Sequence, residues 1–111
     1  MEKATFVHAS YEKFPSITHQ GNRNSISKYL SDGYYVVEER NGFWILKKPS
    51  HVMVCLKDVN GKKHTFDMKK DIINYYGKKI ISAKLVETFS NDAYSGKINF
   101  YMDDDGNYCI K

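Results

Sequence analysis

Residues 51–68 read HVMVCLKDVNGKKHTFDM, the pattern of two strands joined by a turn. The predicted strands are residues 51–58 and 62–68, around a turn at Asn60-Gly61, because Asn and Gly tolerate the positive φ of tight hairpin turns. Apolar residues run without alternation from residue 52 to residue 56, which favours a central strand covered on both faces. We therefore expect this hairpin inside a larger sheet.

A second hairpin is predicted around Asn41-Gly42, which separates residues 35–40 from residues 43–47. In a two-residue turn, Glu39 faces Trp44 across the two strands. This register places apolar side chains on one surface, which we expect to meet the core. The residues predicted to share that surface are Tyr35, Val37, Trp44 and Leu46.

Two short helices are predicted from capping residues and apolar spacing. The first is capped by Asn24 or the residue after it and is closed by Gly33. The second is capped by Asp67, continues to about Tyr76 and stops at Gly77. Further strands are predicted at residues 4–8, 80–89, 98–102 and 108–110, and polar loops at residues 15–24 and 90–96.

The chain shows no internal repeat, linker or low-complexity tract, so residues 1–111 are predicted to form one α+β domain. We expect a mainly antiparallel sheet built from hairpins, with two short helices. Hydrophobic residues make up 41% of the chain and aromatic residues 14%, enough for a packed core without disulfides or metal ions.

Cysteine usage and the absence of long apolar runs predict the compartment. The two cysteines, Cys55 and Cys109, lie in apolar stretches without partner spacing, so we expect free thiols rather than a disulfide. No apolar run approaches the ~18 residues needed to cross a bilayer, and no signal-peptide pattern follows the first methionine. We expect a cytoplasmic protein with no membrane partner, and the heavy use of Lys, Asn, Tyr and Ile suggests an AT-rich phage, plasmid or bacterial genome.

Positive charge is concentrated in one window of the chain. Residues 47–79 carry nine of the 17 Lys and Arg residues but three of the 13 Asp and Glu residues, so their net charge is nine minus three, or +6, and that of the remaining residues is −2. A local excess predicts a basic face that engages a polyanion. The window contains the doublets Lys47-Lys48, Lys62-Lys63, Lys69-Lys70 and Lys78-Lys79.

The predicted polyanion-binding residues lie on the hairpin of residues 51–68 and around the second helix. On the hairpin they form a basic tip that is opposed only by Asp58. Lys69 and Lys70 occupy the first turn of the helix, where the dipole disfavours positive charge by about 0.3–1 kcal/mol, which points to a function. Lys78 and Lys79 follow the helix C-terminus, where cations are favourable. The full set is Lys57, Lys62, Lys63, His64, Lys69, Lys70, Lys78 and Lys79.

A second candidate site is the polar loop around Gly21, whose side chains can hydrogen-bond to phosphate or to a protein. A plain solvated loop is the alternative. The predicted contact residues are His19, Gln20, Asn22 and Arg23. Aromatic rings beside basic residues are typical of single-strand binding, although aromatics also favour sheets and cores; the rings expected to be partly exposed are Tyr34, Phe43, Tyr75, Tyr94 and Tyr101.

Catalytic and metal motifs are absent from the sequence, so we expect no enzyme, no cofactor and no metal site. An RNase-like reaction that uses His51 or His64 near Lys57 is the third and least favoured reading. The leading hypothesis is a non-catalytic protein whose basic face docks on nucleic acid or on the groove of a nucleoprotein, as a phage or mobile-element accessory or inhibitor protein. The alternative is a protein-binding or homo-oligomerising module that uses an aromatic sheet surface.

Overall fold

The structure is a computed structural model that describes residues 1–111, and it has eight strands in antiparallel sheets and three α-helices. The predicted α+β class is confirmed. The elements are β1 (Glu2–Glu12), β2 (Ile17–Gln20), a 3-10 helix (Arg23–Ile26), α1 (Ser27–Ser31), β3 (Tyr35–Arg40), β4 (Phe43–Lys47), β5 (His51–Lys57), β6 (Lys63–Asp67), α2 (Lys69–Tyr76), α3 (Ala83–Tyr94), β7 (Phe100–Met102) and β8 (Tyr108–Ile110).

The chain divides into two compact units. The larger unit comprises Met1–Glu12 and His51–Lys111, and the smaller unit comprises Lys13–Ser50. The single domain predicted for residues 1–111 stays a prediction.

A five-stranded sheet of order β6-β5-β1-β7-β8 forms the larger unit. Strand β5 lies between β6 and β1, as its unbroken apolar run predicts, and Val52, Val54 and Leu56 are fully buried. Strand β1 is longer than predicted because it has two partners. Its first residues pair with β7, and the stretch from Thr5 to Glu12 pairs with β5.

The β5–β6 hairpin is confirmed, but its turn is longer than predicted. The strands end at Lys57 and Lys63, and Asp58 organises the five residues between them. Its Oδ1 accepts the backbone N–H groups of Asn60 and Lys62, each at 2.9 Å. Aspartate competes in this way with the sheet ladder for nearby backbone donors, so the pairing stops one residue earlier on each strand.

The β7–β8 hairpin repeats the same turn around Asp103. The Oδ1 atom of Asp103 accepts the N–H groups of Asp105 and Asn107 at 3.0 and 2.9 Å. The side chain of Asn107 also donates to Asp103, and this bond is the main reason that the pKa of the Asp103 carboxyl is lowered. The aspartate-rich turn is therefore held together by its own first carboxylate.

Helix α3 replaces the strand predicted at residues 80–89 and the loop predicted at residues 90–96, so both predictions were wrong. Ser82 caps the helix, with its Oγ accepting the N–H of Leu85 at 3.2 Å. The buried residues of the helix are Leu85, Val86, Phe89 and Ala93, a spacing that gives one apolar face at 3.6 residues per turn.

Three phenylalanine rings are at the centre of the larger unit's core. The ring of Phe89 meets those of Phe6 and Phe100 edge-on, with centroids 5.9 Å apart in both pairs, and Phe6 stacks on Phe100 at 5.7 Å. These rings join α3 to β1 and β7. Because large aromatic side chains bury the most apolar area, they dominate the energetics of such a core.

The smaller unit contains a three-stranded sheet of order β2-β4-β3. Strand β2 lies inside the segment predicted as a loop, because the alternating residues Ile17 to Gln20 pair with the second edge of β4. Trp44 is fixed on this sheet, since its Nε1–H donates to the carbonyl oxygen of Gly21 at 2.9 Å. The buried residues of this unit are Ile26 and Leu46.

The β3–β4 hairpin has the predicted turn but only part of the predicted register. Asn41 and Gly42 have φ values of 51° and 80°, and Glu39 faces Trp44. A bulge between Val36 and Glu38 then shifts the pairing, so that Leu46 faces Val36 instead of Val37. The prediction that Tyr35 and Val37 meet the core is therefore wrong, and both are exposed.

Truncation of Phe89 to alanine should strongly destabilise the protein. Phe89→Ala removes the ring that touches both other phenylalanines, and large-to-small changes of this kind cost about 3–5 kcal/mol. Urea unfolding followed by circular dichroism measures the change. The matched control is Phe43→Ala at an exposed site of β4, which should cost less than about 1 kcal/mol. Equal costs for the two variants would contradict this core assignment.

Candidate polyanion-binding surface

Lys57 and Lys63 lie directly opposite each other on β5 and β6, and both are exposed. The next pair along the ladder, Leu56 and His64, points to the inner side, where Leu56 is fully buried. Successive side chains of a strand alternate between the faces, so the two lysines project from the outer face. Like charges placed directly opposite destabilise a sheet, and neither lysine forms a salt bridge.

The outer face of the sheet carries two further lysines beyond this pair. Lys57 faces Thr5 of β1, and Lys3 lies two residues earlier on the same face, opposite Tyr101 of β7. The Nζ atom of Lys111 lies 5.4 Å from the centroid of the Tyr101 ring. We name this group the cationic face, and its members are Lys3, Lys57, Lys63, Lys111 and Tyr101.

Asp58 is the acidic residue next to the lysine pair, and its carboxylate is engaged within the hairpin. Its Oδ2 accepts the Nε2–H of His64 at 2.8 Å, while Oδ1 accepts the two turn N–H groups. The His64 bond, followed by that from Lys62, holds the pKa of Asp58 below its ordinary value. The carboxylate therefore stabilises the turn and does not pair with the ammonium groups of the lysines.

The predicted basic tip is divided between the two sides of the hairpin. Lys57, Lys62 and Lys63 are exposed. His64 is half-buried on the inner side, where its ring stacks on that of Phe66 with centroids 6.4 Å apart. Three of the four predicted tip residues thus face solvent, while the histidine anchors the turn.

Lys69 and Lys70 follow the opposite end of β6, a strand that extends about 13 Å from Lys63 to Asp67 at ~3.3 Å per residue. They do form the first turn of α2, as predicted. Their charge is compensated there, because Asp67 Oδ1 accepts the N–H of Lys69 at 3.1 Å and Asp71 belongs to the same turn. In the sequence this doublet stood out because nothing compensated its positive charge at the helix N-terminus. The structure provides that compensation.

Lys78 and Lys79 follow the C-terminus of α2. Gly77, with φ 63°, ends the helix as predicted, and the N–H of Lys78 returns to the carbonyl of Ile73 at 2.9 Å. This is a Schellman motif, which satisfies the last carbonyl groups of the helix. Within the larger unit, the doublets 62–63, 69–70 and 78–79 thus occupy three different places.

The remaining doublet, Lys47-Lys48, belongs to the smaller unit. The Nζ atom of Lys48 lies 3.6 Å from Oδ1 of Asp32 and 4.4 Å from the centroid of the Phe14 ring. The Lys48 side chain is mostly buried by these contacts, so it has a structural role in this unit.

The predicted loop site is part strand and part helix cap. His19 and Gln20 belong to β2, and the Nε2 of His19 lies 2.9 Å from Oγ of Ser25. Asn22 caps the 3-10 helix by accepting the N–H of Ser25. His19 and Asn22 therefore stabilise the local fold, while Arg23 is exposed.

The histidines considered for acid–base chemistry lie at the two ends of β5. His51 is its first residue, and His64 is opposite Leu56, about 16 Å further along at ~3.3 Å per residue. His51 Nδ1 lies 2.8 Å from Oδ2 of Asp67, so each imidazole has its own aspartate. Burial raises the pKa of Asp67, but hydrogen bonds from the Lys69 N–H and His51 outweigh it and lower the pKa overall.

Other chemistry-bearing groups are dispersed. Cys55 is buried and Cys109 is half-buried, and both are free thiols. No group of three His, Cys, Asp or Glu side chains is arranged to hold a metal ion. None of the helices is long and apolar enough to cross a membrane.

Sequence reasoning missed Lys3 and Lys111, which lie outside the lysine-rich window. The signal for Lys3 was available in the alternation of Lys3 and Thr5 with Ala4 and Phe6, which puts the first pair on the face opposite the buried pair. Lys111 carried no such signal, because its place depends on the pairing of β8 with β7.

Asp58→Asn should lower the stability of the protein at neutral pH and make that stability less dependent on pH. A carboxyl whose pKa is depressed by folding contributes stability above its unfolded pKa of ~3.9, and that stability is lost as pH falls through the folded pKa. Thermal unfolding of both proteins between pH 7 and pH 2 measures the effect. Asp104→Asn, on the other turn, is the control and should behave like the unmodified protein. An unchanged midpoint for Asp58→Asn at pH 7 would contradict the role assigned to this carboxylate.

Comparisons with known proteins do not extend these observations. No protein-family model, curated protein or solved structure matches the chain.

Proposed function

We propose that this chain is a non-catalytic binding protein whose cationic face docks on a polyanion, either nucleic acid or the nucleic-acid-loaded groove of a nucleoprotein. The observation that supports the proposal is the exposed Lys57–Lys63 pair, which is opposed across the ladder and has no salt-bridge partner. Such a pair lowers the stability of the free protein. A like-charged pair that costs stability without a structural benefit is expected on a surface that binds a partner.

A polyanion removes this repulsion in the complex. Phosphate groups placed between the ammonium groups replace a repulsive pair with attractive contacts, and the counterions released from the nucleic acid add to the affinity. Lys62, in the adjoining turn, and Lys3 extend the positive surface on either side. The doublets at residues 69–70 and 78–79 stay predicted contacts, and the structure places them away from the primary pair.

Stoichiometric occupation of a nucleic-acid surface is the mode of action that follows. The protein would block or modulate a process by covering the groove, without turning over a substrate. Accessory and inhibitor proteins of phages and mobile elements act in this way, which agrees with the AT-rich codon preference of the residues used here. Origin from such an element is part of the proposal.

Lys63→Glu should raise stability and reduce binding in the same protein. The change converts a like-charged pair into an opposite pair, which adds about 0.2–1 kcal/mol to the free energy of unfolding. Binding to a fluorescein-labelled DNA oligonucleotide, measured by anisotropy at low salt, should weaken by ~10-fold or more. Lys57→Gln with Lys63→Gln should reduce the slope of log K against log salt by about 1.4–1.8, at ~0.7–0.9 per contact.

The matched control for these variants is Lys78→Glu, which makes the same change in net charge as Lys63→Glu. Lys78 is exposed and follows the C-terminus of α2. Its effect on affinity should be clearly smaller than that of Lys63→Glu. Equal losses from both changes would show a response to net charge alone. A salt-independent affinity would remove the proposal.

A second candidate function rests on β3, which is exposed along its whole length at the edge of the smaller sheet. Tyr35, Val36 and Val37 are 50%, 39% and 50% exposed, and Phe43 on the neighbouring strand is 45% exposed. An exposed apolar edge strand has unpaired backbone groups and pairs readily with a strand of another chain. This edge favours a protein-binding or self-associating module, in line with the alternative prediction.

Light scattering during size-exclusion chromatography distinguishes this second candidate. If β3 mediates self-association, the protein elutes as an oligomer and Val37→Lys returns it to a monomer, because a charge at the edge opposes pairing. Val59→Lys, at an exposed apolar position in the β5–β6 turn, is the control and should leave the oligomer intact. A monomer at all concentrations would remove self-association through β3.

A further inference from the structure

We infer that the polyanion is a single-stranded nucleic acid, with one unpaired base stacked on Tyr101. The inference rests on the proposed function and concerns the same cationic face. Tyr101 projects from the outer face of β7, because Phe100 and Met102 on either side of it are buried on the inner face. An aromatic ring therefore lies among the lysines that would contact phosphates.

The surroundings of Tyr101 suit a stacking platform. Its neighbours across the strands are Lys3 and Cys109, and the ammonium group of Lys111 lies 5.4 Å from its ring centroid. The ring is partly exposed, and its hydroxyl group has no hydrogen bond within the protein. The contacts that would mark it as a structural tyrosine are thus absent.

Three other tyrosines of the larger unit show what a structural role looks like. The hydroxyl groups of Tyr76 and Tyr108 donate to Asp92 and Asp71, each at 2.6 Å. Burial first, and then these bonds, raise the pKa of both phenols. Tyr94, which is also exposed, donates to the carbonyl of Val7 at 2.7 Å. Tyr101 differs from all three, because its contact is with a cation.

Base stacking separates single strands from duplexes. In a duplex the faces of the bases are covered by neighbouring base pairs, so a ring on a sheet surface reaches only phosphates and groove edges. An unpaired base offers its π-face to an aromatic side chain at ~1–3 kcal/mol per base. Lys63 and Tyr101 are three strand spacings apart, about 14 Å at ~4.8 Å each, and are offset by two residues, about 7 Å, along the strands, so one short nucleic-acid strand crossing the sheet reaches both.

The test compares two labelled probes by fluorescence anisotropy at fixed salt. One is an oligothymidylate of about 12 nucleotides, within the ~4–16 nucleotides typical of small single-strand binders, and the other is a DNA duplex of equal length. We expect the single strand to bind more tightly. Tyr101→Ala and Tyr101→Leu should each weaken single-strand binding by ~5- to 150-fold, the equivalent of one stacked base.

Tyr101→Phe keeps the ring and should bind the single strand within about twofold of the unmodified protein, which separates stacking from hydrogen bonding by the hydroxyl group. Tyr35→Ala, at an exposed tyrosine of the smaller unit, is the control and should have no effect. Circular dichroism confirms that each variant is folded, and Tyr101→Leu keeps an apolar side chain on the strand in case alanine destabilises it.

The outcomes distinguish this inference from the proposed function. If the duplex binds as tightly as the single strand, or if Tyr101→Ala and Tyr101→Leu bind normally while Lys63→Glu does not, the single-strand inference is overturned and polyanion binding stands. If neither probe binds at low salt, both are overturned. Loss of single-strand affinity in the Tyr101 variants, with duplex affinity unchanged, supports the inference.

Discussion

The register between β5 and β6 is the constraint on which the surface depends. Leu56 and Lys57 are consecutive, so the burial of the leucine in the core forces the lysine onto the outer face. The partner strand repeats this constraint, because Phe66 packs toward the core and the alternation then puts Lys63 outside. The hydrophobic core thus fixes two like charges opposite each other, and slippage of either strand by one residue would turn its lysine toward the core.

Four carboxylates of this region are committed to the fold, and neither Lys57 nor Lys63 has a salt-bridge partner. Asp58 and Asp103 hold the two turns, Asp67 binds His51 and the start of α2, and Asp71 accepts the hydroxyl group of Tyr108. Asp58 and Asp103 form these bonds within their own turns, whereas Asp67 and Asp71 also bond to residues distant in the chain. These four aspartates therefore stabilise the fold and do not pair with Lys57 or Lys63.

The hairpins and α2 were predictable from the sequence because their signals are local. Asn41-Gly42, Gly77 and the apolar run of β5 each determine a turn, a helix end or a central strand through short-range sterics. Helix α3 was missed because Ile80 and Ile81 continue a strand-like pattern until Ser82 starts the helix. The bulge at Val37 and the convergence of Lys3, Tyr101 and Lys111 depend on long-range pairing, which no local pattern encodes.

The central claim is that Lys57 and Lys63 repel each other in the free protein and are bridged by a polyanion in the complex. A double-mutant cycle of Lys57→Ala and Lys63→Ala, followed by urea unfolding with and without saturating oligonucleotide, measures that coupling directly. We predict a repulsive coupling of a few tenths of a kcal/mol in the free protein, which disappears or becomes attractive when the oligonucleotide is bound. A coupling near zero in the free protein, or one that is unchanged by the oligonucleotide, would contradict it.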